Sequence, residues 1–284
     1  MKILPSAGAP VGTLILGAAA LVILLYLIPV SAIAQGLNLA SGSKDKPIEI
    51  FADNGIEWQK DNKILIASGN AKASRDGVNV EAEVLRAYYR KKVGGGTDLY
   101  RLEAAGGVKI FTRAEYIIGQ SAVWDFEQAI LKVEGKKVVY KTGNDSVTAT
   151  RQMEYWERQL MVVARGNSVA IHEGKVVRGN ILKALIRKKK TGKSEVYMVE
   201  AFDNVLIVSD KDQLRADRGI YRVDSGTAKL TSNVTITRGK SILNGDHAVI
   251  NLNTGISKLL TLDKLRSRKR TGKRVRGLIF PHKK

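Results

Sequence analysis

The chain has 284 residues, of which 44% are hydrophobic and 26% charged, enough to bury a sizeable core in one long domain or two small ones. Lys and Arg number 47 against 27 Asp and Glu, an excess that favours anionic partners such as nucleic acid, a membrane surface or a phosphorylated glycolipid. The absence of cysteine excludes disulfides, thiolate chemistry and a lipidated N-terminal cysteine, and three histidines argue against a histidine-built metal site.

The N-terminal segment predicts export. Residues 11–28 are apolar and uncharged, and the small-x-small pattern that ends at Ala34 is typical of a signal-peptidase site. We therefore expect a signal peptide over residues 1–34; the alternative is an uncleaved membrane anchor, because about 18 apolar residues are just long enough to span a bilayer. Either outcome places the rest of the chain outside the cytoplasm, in the periplasm. Because the domain is then separated from the genome, we do not expect its positive charge to bind nucleic acid.

The central part of the chain predicts an all-β domain. Residues 35–47 are polar and rich in Gly and Ser, as in a linker, and residues 48–262 consist of short runs with period-two alternation. In one such run, Val78, Val80 and Ala82 alternate with polar residues. Gly, Asn, Asp and Ser punctuate the runs at hairpin spacing, which indicates antiparallel strands.

An internal repeat organises this domain. A shift of about 97 residues places Gly69-Asn70 on Gly166-Asn167 and Arg90-Lys91-Lys92 on Arg187-Lys188-Lys189, with many further matches in the same register. So many matches indicate a tandem duplication. We expect neighbouring units of such a repeat to stack and share one apolar interior.

A shorter rhythm runs inside each copy: a small or turn-forming pair precedes each apolar run. Gly and Asn tolerate the positive φ that tight reversals and bulges require. We therefore expect a long sheet folded over into two walls, with an apolar crease between them. The pairs are Gly69-Asn70, Gly106-Gly107, Gly135-Lys136, Gly166-Asn167, Asp203-Asn204 and Ser232-Asn233.

The sequence contains no convincing catalytic grouping. The triplet Lys141-Thr142-Gly143 imitates one motif of serine β-lactamases, but it has the composition of a turn and lacks the helix and facing strand that the chemistry needs. His172 and His247 lie in separate strand contexts without metal-ligand spacing. We expect no enzyme, no metal and no cofactor.

Several of these segments resemble a known family. The runs Ile48–Asp53, Ala67–Ala71, Ala104–Ile110 and Ala164–Val169 resemble the OstA-like domain of periplasmic lipopolysaccharide-transport proteins, the LptA/OstA-like family. The resemblance covers roughly Pro47 to Leu260. The chain differs from the compact bridging members of the family in two ways. Its domain is longer and repeated, and it ends in a basic tail, residues 263–284, in which ten Lys and Arg and no acid lie between Lys264 and Lys284.

The resemblance implies a twisted, open β-jellyroll with an apolar groove that carries lipid A acyl chains of lipopolysaccharide between inner and outer membrane. It also implies partners of the same fold, joined by edge-strand pairing, with self-association as one form of that pairing. The basic tail suggests contact with an anionic membrane surface. The groove candidates, expected to face inward, are Ile50, Val80, Val108, Ile110, Val169, Ile171, Val205, Ile207, Val234 and Ile236.

Two other functions remain open at this stage. A structural envelope adaptor would bridge partners through its sheet edges and would have a filled core. A cationic peptidoglycan- or glycan-binding protein would use the positive charge directly. The pattern of apolar residues does not separate groove lining from an ordinary core.

Overall fold

A computed structural model describes residues 47–92, 94–189, 194–210, 212–260 and 275–278, and in these residues all regular structure is β-strand. The predicted signal peptide or anchor, nearly all of the linker and most of the basic tail lie outside them. No helix in the described part is long and apolar enough to cross a membrane. The strands are β1 Glu49–Phe51, β2 Gly55–Gln59, β3 Ile64–Arg75, β4 Val78–Lys91, β5 Thr97–Phe111, β6 Glu115–Asp125, β7 Ile130–Glu134, β8 Val138–Thr142, β9 Asp145–Ala149, β10 Gln152–Trp156, β11 Met161–His172, β12 Lys175–Lys188, β13 Ser194–Val208, β14 Gln213–Arg222, β15 Thr227–Arg238, β16 Ser241–Asn251, β17 Ser257–Leu260 and β18 Arg276–Leu278.

The strands form one antiparallel sheet folded into two walls. β1, β8, β9 and β18 lie wholly in wall A, and β2, β7, β10 and β17 lie wholly in wall B. The longer strands run through both walls, so that β6 pairs with β8 in wall A and with β7 in wall B. Inward side chains of both walls belong to one hydrophobic core, because the sheet is bent back on itself. The predicted all-β, folded-over antiparallel sheet is confirmed.

A line of β-bulges marks the bend. β3, β5, β11, β13 and β15 each carry one residue more than their neighbours where the register shifts. Two consecutive residues have positive φ there, as Gly69 (φ 80) and Asn70 (φ 43) do in β3. A bulge with such dihedrals bends the strand sharply. Five of the six predicted pairs have this geometry; the sixth, Gly135-Lys136, lies between β7 and β8 without positive φ.

The tandem duplication coincides with the strand boundaries. Shifting β3, β4 and β5 by 97 residues gives the bounds of β11, β12 and β13. The tip of each copy carries the same ion-pair cluster: Arg90 pairs with Asp98 and Glu127, and Arg187 pairs with Glu195 and Asp224. Each arginine also lies over a tyrosine ring 5.6 Å away. The two copies, called here the first and second repeats, therefore share strands, bulges and tip contacts.

Candidate functional site

Five of the ten predicted groove residues lie in one row across wall A. Cross-strand pairing connects Ile50, through Ala73, to Val80 and Ile110, and the same row continues to Ile207 and Ile236. Neighbours in such a row face the same side of the sheet. The residues that the alternation singled out are thus brought together along the interior of wall A.

Most of these side chains are closed off from solvent. Ile50 is half-buried and packs against the core. Exposure of 2% or less means that side chains of the two walls fill the space between them at these positions. The seven fully buried candidates are Val80, Val108, Ile110, Val205, Ile207, Val234 and Ile236, at 0–2% exposure.

Two of the ten candidates do not face inward. Ile171 is 40% exposed and Val169 is half-buried, whereas the smaller Ser168 is fully buried and Ala170 packs against the core. The register explains the difference, because Ala170 pairs with Val147 and Val177 in the interior row. The prediction that Val169 and Ile171 face inward is wrong.

The interior reaches solvent at the edge formed by β1 and β2. Ile56 and Trp58 of β2 pair with Ala67 and Leu65 and stand on the interior side of wall B. They are nevertheless 49% and 62% exposed. The Trp58 indole donates a hydrogen bond to the Tyr89 hydroxyl at 2.6 Å, which fixes the ring at this edge. We call Ile56 and Trp58 the apolar mouth.

An acid is buried at the same place in both repeats. Glu115 is 8% exposed, and 97 residues later Asp212 is 5% exposed. Arg238 donates two hydrogen bonds to Asp212, at 2.7 and 2.9 Å. Glu115 instead accepts one from the Tyr140 hydroxyl, and its Oε1 is buried without a hydrogen-bond partner. Sequence reasoning missed both acids, although the shift of 97 aligns them.

Burial controls the protonation of this cluster. Desolvation raises the pKa of Glu115, and the hydrogen bond from Tyr140 opposes that shift. Desolvation, reinforced by the negative charge of Glu115, raises the pKa of Tyr140. Burial, with Glu157 and Glu115 nearby, raises the pKa of Tyr155 to about 12. Both tyrosines therefore stay neutral. The Tyr140 hydroxyl and the Glu115 carboxyl form a polar contact within the interior, and Arg238 contacts the buried Asp212 in the second repeat.

The segments considered for metal binding and catalysis contain none of the groove candidates. No group of three or more His, Asp or Glu among the described residues could hold a metal ion. Lys141-Thr142-Gly143 ends β8 and begins a turn, beside a shallow surface pocket of about 250 Å³. A second shallow pocket, of about 210 Å³, lies on the outer face of wall B. Neither pocket is lined by any of the ten groove candidates.

Comparison with known proteins assigns no family. No family model matches the chain. A curated protein from Rhizobium meliloti (strain 1021), the uncharacterized protein R00383, is 29% identical over 135 residues, covering 44% of this chain and 69% of its own. The crystal structure of LptH from Pseudomonas aeruginosa, described as the LptA-homologous periplasmic component of the lipopolysaccharide transport device, aligns with 84% of this chain and 98% of its own. At 9% identity and a TM-score of 0.21, that alignment carries no functional argument.

Proposed function

We propose that this protein is a non-catalytic periplasmic scaffold that carries lipopolysaccharide between the inner and outer membranes, with lipid A acyl chains held between walls A and B. The observation that carries the proposal is the apolar interior, which extends across the sheet and ends uncovered at Ile56 and Trp58. The short motifs shared with the OstA-like domain point to the same function.

The interior suits acyl chains for a simple physical reason. Moving a methylene group from water into an apolar environment gains about 0.8 kcal/mol, so that several acyl chains gain much by burial without any chemical handle. The apolar mouth offers the first contact. Deeper positions such as Ile110 and Ile207 are sealed, so lipid reaches them only when the two walls separate. The proposal therefore includes a separation of the two walls, with the line of bulges as the hinge.

The two ends of the sheet suit the assembly of such a scaffold. Among the described strands, β1 and β2 pair only with β3, and β17 and β18 pair only with β16. Unpaired strand edges bind further strands. Phe51, Ile256 and Leu278 are 61%, 70% and 47% exposed at these edges. We infer that partners of the same fold, or a second copy, add to the sheet at its ends.

One observation favours a second candidate function, the structural adaptor. Seven groove candidates at 0–2% exposure are what a permanently filled core requires. An adaptor would use the same two edges and would never admit lipid. The two functions therefore differ in whether lipid contacts the interior.

Photo-crosslinking decides between them. A photoreactive residue replaces Trp58 at the mouth, or Val108, Ile110 or Val205 inside, and Lys109 on the outer surface serves as the control. Carriage predicts that lipopolysaccharide is captured at the mouth and inside but not at Lys109. If lipopolysaccharide is crosslinked at none of the four apolar sites of the folded protein, the result would contradict carriage and favour the structural adaptor.

Localisation has its own test. Export with cleavage after Ala34 predicts a mature protein that begins at Gln35 and is recovered in the periplasmic fraction. The mass of the exported protein measures this. An intact Met1 in the membrane fraction would instead indicate an anchored protein, with the same domain facing the periplasm.

A further inference from the structure

The outer surface of wall B differs between two four-strand stretches of the sheet. We call the outward positions on β6, β7, β10 and β11 the first outer face, and those on β14, β15, β16 and β17 the second outer face. Cross-strand pairing matches them: Val123, Lys132 and Glu154 occupy consecutive strands in the first, as Ile220, Lys229 and Val249 do in the second. The two faces are therefore built on the same frame.

The first outer face is balanced in charge. It carries the acids Asp125, Glu134 and Glu154 and the cations Lys132 and Arg165. Lys132 pairs with Glu134 at 3.0 Å, and Arg165 pairs with Glu154 at 2.9 Å. This surface presents little net charge to a partner.

The second outer face carries four cations and no acid. Arg222, Thr231 and Val249 stand where the first outer face has Asp125, Glu134 and Glu154. The cations are Arg218, Arg222, Lys229 and Lys258, all of them exposed. Arg218 stacks over Phe202 at 5.0 Å, and within the described residues the other three have no ion pair with an acid.

Apolar side chains lie between these cations. Ile220, Lys229, Val249 and Lys258 pair in sequence across four adjacent strands, so cation and aliphatic side chain alternate on one surface. Ile220 is 39% exposed and Val249 is 37% exposed. Cations between exposed aliphatic groups match the interface of an anionic membrane, where phosphates meet acyl chains.

We propose that the second outer face docks on the surface of an anionic phospholipid membrane. Charge complementarity selects this occupant, and the exposed Ile220 and Val249 select a lipid surface over a soluble polyanion. The ten Lys and Arg between Lys264 and Lys284 follow this face in the chain and carry charge of the same sign. The docking surface lies outside the apolar interior, so membrane docking and lipid carriage can be tested independently of each other.

Two matched probes test the docking. The chain has no cysteine, so Thr231→Cys on the second outer face and Ser121→Cys on the first can each carry one polarity-sensitive fluorophore. Both residues lie in the same row of wall B and are partly buried. Both full-length proteins keep the same N-terminal segment and basic tail, so the contributions of these segments cancel in the comparison.

The expected result is a fluorescence rise at Thr231→Cys, and none at Ser121→Cys, with phosphatidylglycerol-containing vesicles. Adding Arg222→Gln and Lys229→Gln should raise the lipid concentration for half-maximal signal about 25-fold, since each surface cation contributes roughly fivefold. Lys132→Gln with Arg165→Gln removes the same charge from the first outer face and should leave the signal unchanged. Thermal unfolding of both double variants checks that they remain folded.

Four outcomes would overturn the proposal. The first is an equal response at Ser121→Cys. The second is an equal response to pure phosphatidylcholine vesicles. The third is a signal that is unchanged by Arg222→Gln with Lys229→Gln. The fourth is the same signal produced by dextran sulfate without vesicles.

Discussion

The first and second repeats have the same backbone but different surfaces. β3, β4 and β5 share their bounds with β11, β12 and β13 after a shift of 97 residues, and the bulges and tip ion pairs are retained. Outside, Asp125 on β6 and Glu134 on β7 of the first repeat are replaced by Arg222 and Thr231 at the matching positions of the second. Inside, the buried acid is held by Tyr140 in the first repeat and by Arg238 in the second.

The difference separates what the fold needs from what it leaves free. A sheet that folds over needs apolar side chains inward and positive φ at the bend, so these features are held in both copies. Outward positions tolerate either charge, because the sheet is stable with one face in water. Features that differ between the repeats are therefore the places to look for function, and those that agree report stability.

The largest expected effect comes from matched cavities in the two interiors. Ile110→Ala and Ile207→Ala should each lower the free energy of unfolding by about 2–5 kcal/mol, because each deletes a fully buried side chain. Urea unfolding followed by circular dichroism measures both. Ile118→Ala, at a 40% exposed position of wall A, is the control and should cost much less. A negligible loss at Ile110 would show that this interior is not packed.

The bend should respond differently at two adjacent glycines. In Gly106→Ala the new Cβ would lie 2.5 Å from Cβ of Glu83 at a φ of 87°, so we expect a loss of about 1–3 kcal/mol. Gly107→Asn should cost less than about 0.5 kcal/mol, because nothing lies within 4 Å and Asn204 has the same role in the second repeat. Thermal unfolding of the two variants compares them, and equal losses would contradict the account of the bulge.

The buried acids predict opposite responses to substitution. Asp212→Asn should cost about 1–2 kcal/mol at neutral pH, because Arg238 loses its charged partner. Glu115→Gln should become more favourable, relative to the parent protein, as the pH rises. The pKa of Glu115 is raised by burial, so the unfolded chain releases its proton first and the parent loses stability from about pH 4.5 upward, until the folded protein ionises too.

Urea unfolding of the parent and of Glu115→Gln across that pH range checks the sign. The difference in unfolding free energy should grow in favour of the variant and then level off. A difference that is constant with pH would mean that Glu115 titrates alike in the folded and unfolded chains. Asp212→Asn, measured in parallel, shows whether any pH effect is specific to the acid without a charged partner.

The smallest effect on stability is expected from the tail. Deleting residues 264–284 also removes the three-residue edge strand β18, so it should change the free energy of unfolding by less than about 1 kcal/mol, yet weaken binding to anionic vesicles at low salt. The charge attraction is screened over roughly 8 Å at physiological ionic strength, so the difference should shrink as salt rises. Vesicle cosedimentation in a salt series measures it, and binding that is unchanged by the deletion would exclude a role for the tail.

Much of the fold follows from local sequence. Gly166-Asn167 indicates a bulge because two adjacent residues tolerate positive φ, and Val108 and Ile110 indicate an inward face by alternation. Alternation failed at Val169 and Ile171, where the bulkier residues face outward. The repeat indicates the correct orientation, because the shift of 97 residues aligns Val169 and Ile171 with Lys72 and Ser74. These two polar residues flank the buried Ala73 and face outward.

The candidate site was less predictable. A groove lining and a filled core need the same inward apolar pattern, so burial at Ile207 became known only from the packing. Glu115 resembles a surface acid at the start of a strand; only the folded sheet places its carboxyl beside Tyr140. The mouth at Trp58 depends on which strand forms the edge, and that is a property of the whole sheet.

The central claim is that the closed interior opens to take up lipid. Spin labels at Lys109→Cys on wall A and Lys132→Cys on wall B report the separation of the walls, because both side chains lie on the outer surface of the sheet. Pulsed electron paramagnetic resonance measures the distance between them with and without lipid A. The account predicts a longer distance when lipid A is bound. An unchanged distance at saturating lipid A would contradict it and leave a filled-core adaptor.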